Sequence, residues 1–128
     1  MRVLIDTHTF LWWNTEDPLL SPLAREIIAN GHNEVFLSVA SAWEISIKAA
    51  KGRLILPSPP ADYISSRMHL YRFSPLPVAF SHAVHIYELP PYHQDPFDRL
   101  LIAQSMLESL PMVTKDEDIK KYAVETIW

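Results

Sequence analysis

Short aliphatic runs alternate along the chain with longer stretches whose apolar residues recur every three or four positions. These two periods separate strands from helices. Val3-Leu4-Ile5 reads as a buried strand ended by Asp6, and residues 7–14 as a short helix carrying Phe10, Leu11, Trp12 and Trp13. Ser21-Pro22 is a helix start, because serine caps and proline fits the first helical position. That helix should stop at Asn30-Gly31. Val35 to Leu37 predicts a second strand, and Ser38 or Ser41 caps a helix running through Ala49-Ala50-Lys51 to Gly52. Residues 54–60 are proline-rich loop and 61–70 helical. A short strand is expected around Arg72-Phe73, ended by Pro75 and Pro77.

Residues 78–87 are weakly helical until Pro90-Pro91 break them. Phe97, Leu100, Leu101, Met106 and Leu107 repeat at helical spacing within the helix expected over 97–110. Residues 112–114 and 124–127 are short strands flanking a helical turn. Strand alternating with helix predicts an α/β protein, a parallel sheet with helices on both faces. No repeat or linker divides it, so residues 1–128 form one expected domain.

Composition narrows the function. The chain is 48% hydrophobic and 20% charged, as in an ordinary globular protein. It has no cysteine, which excludes disulfides and thiolate metal sites. With glycine only at positions 31 and 52, phosphate-cradling loops and dinucleotide fingerprints drop out. No run approaches the roughly 18 apolar residues of a membrane helix. Asp6 interrupts any signal-like core, so the cytoplasm is the expected compartment. A net charge of -4 argues against a broad basic face for nucleic acid, but not against an acidic site that meets phosphate through a metal.

Asp6, Glu44, Asp98 and Asp116 each fall near the end of an expected strand or the start of an expected helix. In an open α/β sheet, ligands gather beyond the carboxyl ends of the strands, where these acids would converge. Converging acids repel unless a hard cation holds them, and oxygen-only sites suit Mg²⁺ or Mn²⁺. Each acid also has a local explanation. Asp98 follows Asp95-Pro96 in a capping-box arrangement, Ser41 and Glu44 form a second Ser-x-x-Glu, and Asp116 could cap the next turn. Thr7 could cap the helix after Asp6, which leaves Asp6 without a capping role and makes it the strongest site candidate.

His8 could approach the site, and His93 could orient its loop or contact substrate. His32, His69, His82 and His85 read as exposed. Lys48, Lys51 and Arg53 read as a solvated helix end. Arg99 could pair with an acid or meet a phosphate. Trp12 and Trp13, adjacent on a helix, cannot face the same core, so either one is exposed to a partner or an irregular buried turn accommodates both.

The segments Leu4-Ile5-Asp6-Thr7-His8, Ser41-Ala42-Trp43-Glu44-Ile45, the run from His93 to Gln104 containing Asp95-Pro96-Phe97-Asp98-Arg99, and Thr114-Lys115-Asp116 together resemble the PIN-domain ribonucleases, in particular VapC-type toxins. The resemblance implies a three-layer α/β/α sandwich around a parallel sheet of five strands. It implies a catalytic quartet of Asp6, Glu44, Asp98 and Asp116, with Asp6, Asp98 and Asp116 holding Mg²⁺ or Mn²⁺ and Thr114 as a helper. It further implies cleavage of single-stranded RNA, a homodimer, and inhibition by a cognate VapB-type antitoxin. Two other readings compete: a catalytically silent PIN-fold binding module, and a receiver-like phosphoacceptor with Asp6 as the accepting group.

Overall fold

The computed structural model describes every residue, Met1–Trp128. Its elements run β1 (Arg2–Ile5), α1 (Thr7–Thr15), α2 (Pro22–Ala29), β2 (Glu34–Ser38), α3 (Val39–Ala50), α4 (Pro60–Tyr71), β3 (Ser74–Leu76), α5 (Phe80–His85), α6 (Pro96–Glu108), β4 (Met112–Val113) and β5 (Thr126–Ile127). Short 3-10 turns occupy Ile86–Glu88 and Ile119–Lys121. The strands form one five-stranded sheet in the order β3-β2-β1-β4-β5, and every pairing is parallel. No helix is long and apolar enough to cross a membrane.

Burial on both faces explains the aliphatic runs. Val3, Ile5, Val35 and Leu37 pack with Phe10, Ala24, Ile28 and Tyr63 in one core. Leu4, Phe36 and Met112, the alternate strand positions, pack with Leu100, Leu101 and Ile102 in the other. A strand covered on both sides needs apolar residues at every position, which is why β1 shows no alternation. The fold is the three-layer sandwich expected.

Connectivity fixes where a site can form. From β1 the chain builds outward through β2 and β3 on one side, and β4 and β5 lie on the other. The strand order thus reverses at β1, and the crevice beyond its carboxyl end is the switch point where open α/β sheets bind ligands. Ile5 pairs with Leu37 and Val113, so Asp6, Ser38 and Thr114 emerge level with one another at that edge. In a receiver-type sheet β1 is flanked by β2 and β3. Here its neighbours are β2 and β4, so the phosphoacceptor reading fails on topology.

Three local expectations need correction. The strand expected at Arg72-Phe73 lies at Ser74–Leu76, with Pro75 inside it rather than ending it. An edge strand tolerates proline because one side of its backbone has no ladder partner. Asp6, not Thr7, caps α1, while α3 takes Ser38, one of the two caps expected for it. His82 is buried, bonded through Nδ1 to the Ala79 amide and through Nε2 to Glu108.

Candidate active site

Asp6 leaves β1 at the switch point and is 5% exposed. Its two oxygens have separate tasks. Oδ1 accepts the Thr9 amide at 2.8 Å, which caps α1, and Oδ2 accepts the Thr114 hydroxyl at 2.5 Å. Burial pushes its carboxyl above the usual range, while the bonds from Thr114 and Thr9 pull the other way. The cap therefore accounts for one oxygen only, and the other meets Thr114, the residue that follows β4.

Thr114 joins Asp6 to Asp116. Its hydroxyl donates to Asp6 and accepts the Asp116 amide at 3.0 Å. Asp116 also accepts the Asp118 amide through Oδ1 at 2.8 Å, a short Asx turn that sets the loop before the Ile119–Lys121 turn. Asp6 and Asp116 line one cleft of about 320 Å³ with His8, Trp12 and Lys115.

Asp98 enters from α6. The Asp95 side chain caps that helix by accepting the Asp98 amide at 3.0 Å. The Asp98 carboxylate instead turns towards His93, with Oδ2 at 3.2 Å from Nε2. Burial first, then the charges of Asp95 and Asp116, lift its carboxyl from the ordinary 3.8 to about 7, against the pull of His93. The charge of Asp116 acting on Asp98 sets the loop after β4 beside α6. His93 is itself held through Nδ1, 2.8 Å from the Tyr122 hydroxyl.

Glu44 faces the same edge from the second turn of α3 and is 5% exposed. Thr7 Oγ1 bonds to its Oε1 at 2.8 Å and lies 2.9 Å from the Ser41 hydroxyl. One hydroxyl proton cannot serve both, so the Thr7 proton given to Glu44 leaves Ser41 to donate to Thr7. Oε2 pairs with Lys48 Nζ at 2.7 Å. Lys48 is thus more than a solvated helix end. Its spacing of four residues from Glu44 carried that signal.

The sequence-derived acids therefore gather around the end of β1, but in unequal ways. Asp6 and Asp116 share the cleft, Asp98 feels the charge of Asp116, and Glu44 is engaged by Thr7 and Lys48. No three Asp, Glu or His side chains come close enough to grip one ion together. As donors the acids fit a hard cation: they are oxygen groups, and burial resists their uncompensated charge. Asp6, Asp98 and Asp116 could supply such an ion.

Other functional expectations are revised. Arg99 is half-buried and pairs with no acid. It clamps the 86–93 segment by donating to the Pro90 carbonyl at 2.8 Å and to the Tyr122 hydroxyl at 2.9 Å. Trp12 packs on Trp128 and His8, and Trp13 on Tyr71, so both are half-buried. The exposed tryptophan is Trp43, 56% accessible and edge-on to Phe97.

A family model described as the PIN domain matches residues 3–125. The chain is 43% identical over 61 residues to the ribonuclease VapC16 of Mycobacterium tuberculosis, a match covering 48% of this chain and 43% of that protein. It is 28% identical over 122 residues to the ribonuclease VapC22 of the same organism, covering 94% of this chain and 91% of that one. Among solved structures it is similar to VapBC2 from Rickettsia felis bound to a promoter DNA fragment, with TM-score 0.71, 15% identity, and 99% and 98% of the two chains covered. It is also similar to FitAcB from Neisseria gonorrhoeae, with TM-score 0.63, 19% identity, and 100% and 97% covered. At such low identities these structures speak for the fold alone.

Proposed function

The chain belongs to the PIN-domain family, and from that premise we propose that it is a metal-dependent endoribonuclease for single-stranded RNA, the toxin of a type II toxin–antitoxin pair. The observation that carries the proposal is the buried Asp6 carboxylate at the switch point, tied by Thr114 to Asp116 and joined there by Asp98. Relatives named as VapC ribonucleases support the activity and the toxin role, in which an antitoxin is the partner. The protein is expected to work as a homodimer.

Asp6 and Asp116, which share the cleft, would be the first carboxylates to meet Mg²⁺ or Mn²⁺, and Asp98 would have to draw in from α6 to join them. Such an ion, when bound, lowers the pKa of water and offsets charge on the transferring phosphoryl group. The chain's own residues do the rest. Thr114 orients Asp6 through Oδ2. Tyr122 fixes the His93 ring, and His93 in turn directs Asp98. Glu44, aimed by Thr7, is the group to orient the attacking water once Lys48 yields its oxygen. None of these roles needs a covalent protein nucleophile.

Cleavage of single-stranded RNA by the purified protein in Mg²⁺ or Mn²⁺, its loss in EDTA, and its loss in Asp6→Asn and Asp98→Asn test the assignment. A folded wild type that binds metal and antitoxin but cuts no RNA would make it a silent binding module instead.

A further inference from the structure

The acidic cleft does not end at Trp12. On the far side of the His8–Trp12 wall a second pocket of about 360 Å³ opens between α1, α3 and the segment after Gly52. Buried Ile45 forms its inner side, and exposed Arg53 and Ile55 stand at its solvent side. The volume sits near the low end of small-ligand sites, roughly 300–1,000 Å³, which suits one nucleotide and not a duplex.

Two features choose the occupant. The first is the aromatic wall. Trp12 is braced by His8, stacked at 5.6 Å and 25°, and by Trp128, edge-on at 5.9 Å. A braced indole is a stacking platform, and base–aromatic stacking is worth roughly ten- to a hundredfold in affinity per base. The second is charge. In a chain of net charge -4, the pocket carries two cations, Lys48 and Arg53. Lys48 is engaged by Glu44, whereas Arg53 is exposed and pairs with no acid. A free guanidinium beside an apolar pocket matches a base with its phosphate.

We infer that this pocket receives the base of the nucleotide adjoining the cleaved phosphodiester, stacked on Trp12, with Arg53 on the flanking phosphate. The inference rests on the proposed RNA cleavage at the neighbouring cleft and deepens it. A base held in a duplex is paired and stacked and cannot enter, so the pocket would also select for single strands.

The metal-free protein, titrated with UMP, CMP, AMP and GMP and with ribose 5-phosphate, provides the test. At least one nucleotide should bind ten or more times tighter than ribose 5-phosphate and shift the Trp12 indole NMR signal. Arg53→Ala should weaken that nucleotide at least threefold without changing the melting temperature. In cleavage assays an abasic residue next to the cut should raise KM about tenfold and leave kcat in place. Nucleotides bound no better than ribose 5-phosphate, with the abasic strand cut at the same KM, would overturn the pocket while leaving the nuclease standing. Nucleotide binding at Trp12 by a protein that cleaves no RNA would uphold the pocket and remove the nuclease reading. Protection of the pocket by a co-expressed antitoxin alone, with nucleotides ignored, would also overturn it in favour of a peptide site.

Discussion

Replacing Asp98 with asparagine should stabilise the metal-free protein at about pH 8 and leave it nearly unchanged at about pH 3, by linkage. In the folded chain burial and the charges of Asp95 and Asp116 lift this carboxyl from 3.8 to about 7, whereas the unfolded chain titrates it normally. Below the unfolded value both states hold the proton, and wild type and variant are matched. As the pH climbs towards and through about 7, the unfolded state has released its proton and the folded state must follow at a cost. Stability contributed by the neutral form is therefore lost with rising pH, and asparagine, never charged, does not lose it. Each pH unit across the gap is worth about 1.36 kcal/mol, for a ceiling of about 4 kcal/mol.

Two effects reduce that ceiling. The side chain is 21% exposed, which screens the penalty. The charge also helps at the α6 N-terminus, and asparagine forfeits roughly 0.3–1 kcal/mol there. A net gain of about 1–2 kcal/mol remains, or roughly 3–8 °C in melting temperature for a domain of this size. His93 faces Asp98 directly, so the comparison is repeated in a His93→Gln background to separate its contribution. Circular dichroism melts in EDTA at the two pH values check the prediction. A variant that melts below wild type at about pH 8 would show that Asp98 is a helix cap and not a strained site group. The same variant should lose cleavage and the stabilisation that Mn²⁺ gives wild type by mass action.

Glu44→Gln should do the opposite to stability, since the Lys48 ion pair and the accepted Thr7 bond are both disturbed; a loss of about 1–3 kcal/mol is expected in urea unfolding at neutral pH. Arg99→Met should free the 86–93 segment, seen as faster amide exchange there, with about 0.5–1.5 kcal/mol lost globally because the Pro90 carbonyl and the Tyr122 hydroxyl lose their donor. Arg72→Gly should raise stability by roughly 0.5–1 kcal/mol, because the residue ends α4 at φ 57, where a side chain is strained. An equal or lower melting temperature for that variant would show that the arginine side chain makes up for its backbone.

What could be read from the chain follows the range of the forces involved. The sheet was legible because burial on both faces leaves aliphatic runs such as Val3-Leu4-Ile5, and α2 because Ser21-Pro22 marks its start by local bonding. The positions of the acids were legible too, since strand ends and helix starts are themselves local features. Misplacements came where a partner lies far along the chain. Pro75 looks like a terminator until β3 is known to be an edge strand. His82 looks exposed until Glu108, 26 residues away, closes over it. Arg99 looks available to phosphate until the 86–93 segment folds across it.

The same distinction explains the site's resting state. Convergence of acids followed from topology, but what neutralises them did not. Asp6 leans on the Thr114 hydroxyl, Glu44 on Lys48, and Asp98 on His93. Each carboxylate thus has its own local partner, and the partners differ in strength. The ammonium of Lys48 is a full charge on a buried acid, whereas Thr114 offers only a hydroxyl to an acid that burial already disfavours. A cation entering the cleft would therefore find Asp6 and Asp98 the acids most in need of charge, and Glu44 the one already supplied. This ordering implies that Lys48→Met should release Glu44 to the cation and tighten Mn²⁺ binding, measured by calorimetry, while the metal-free protein becomes less stable. Unchanged Mn²⁺ affinity in a folded Lys48→Met protein would show that Glu44 lies outside the electrostatic reach of the ion, and that its place in the quartet is structural.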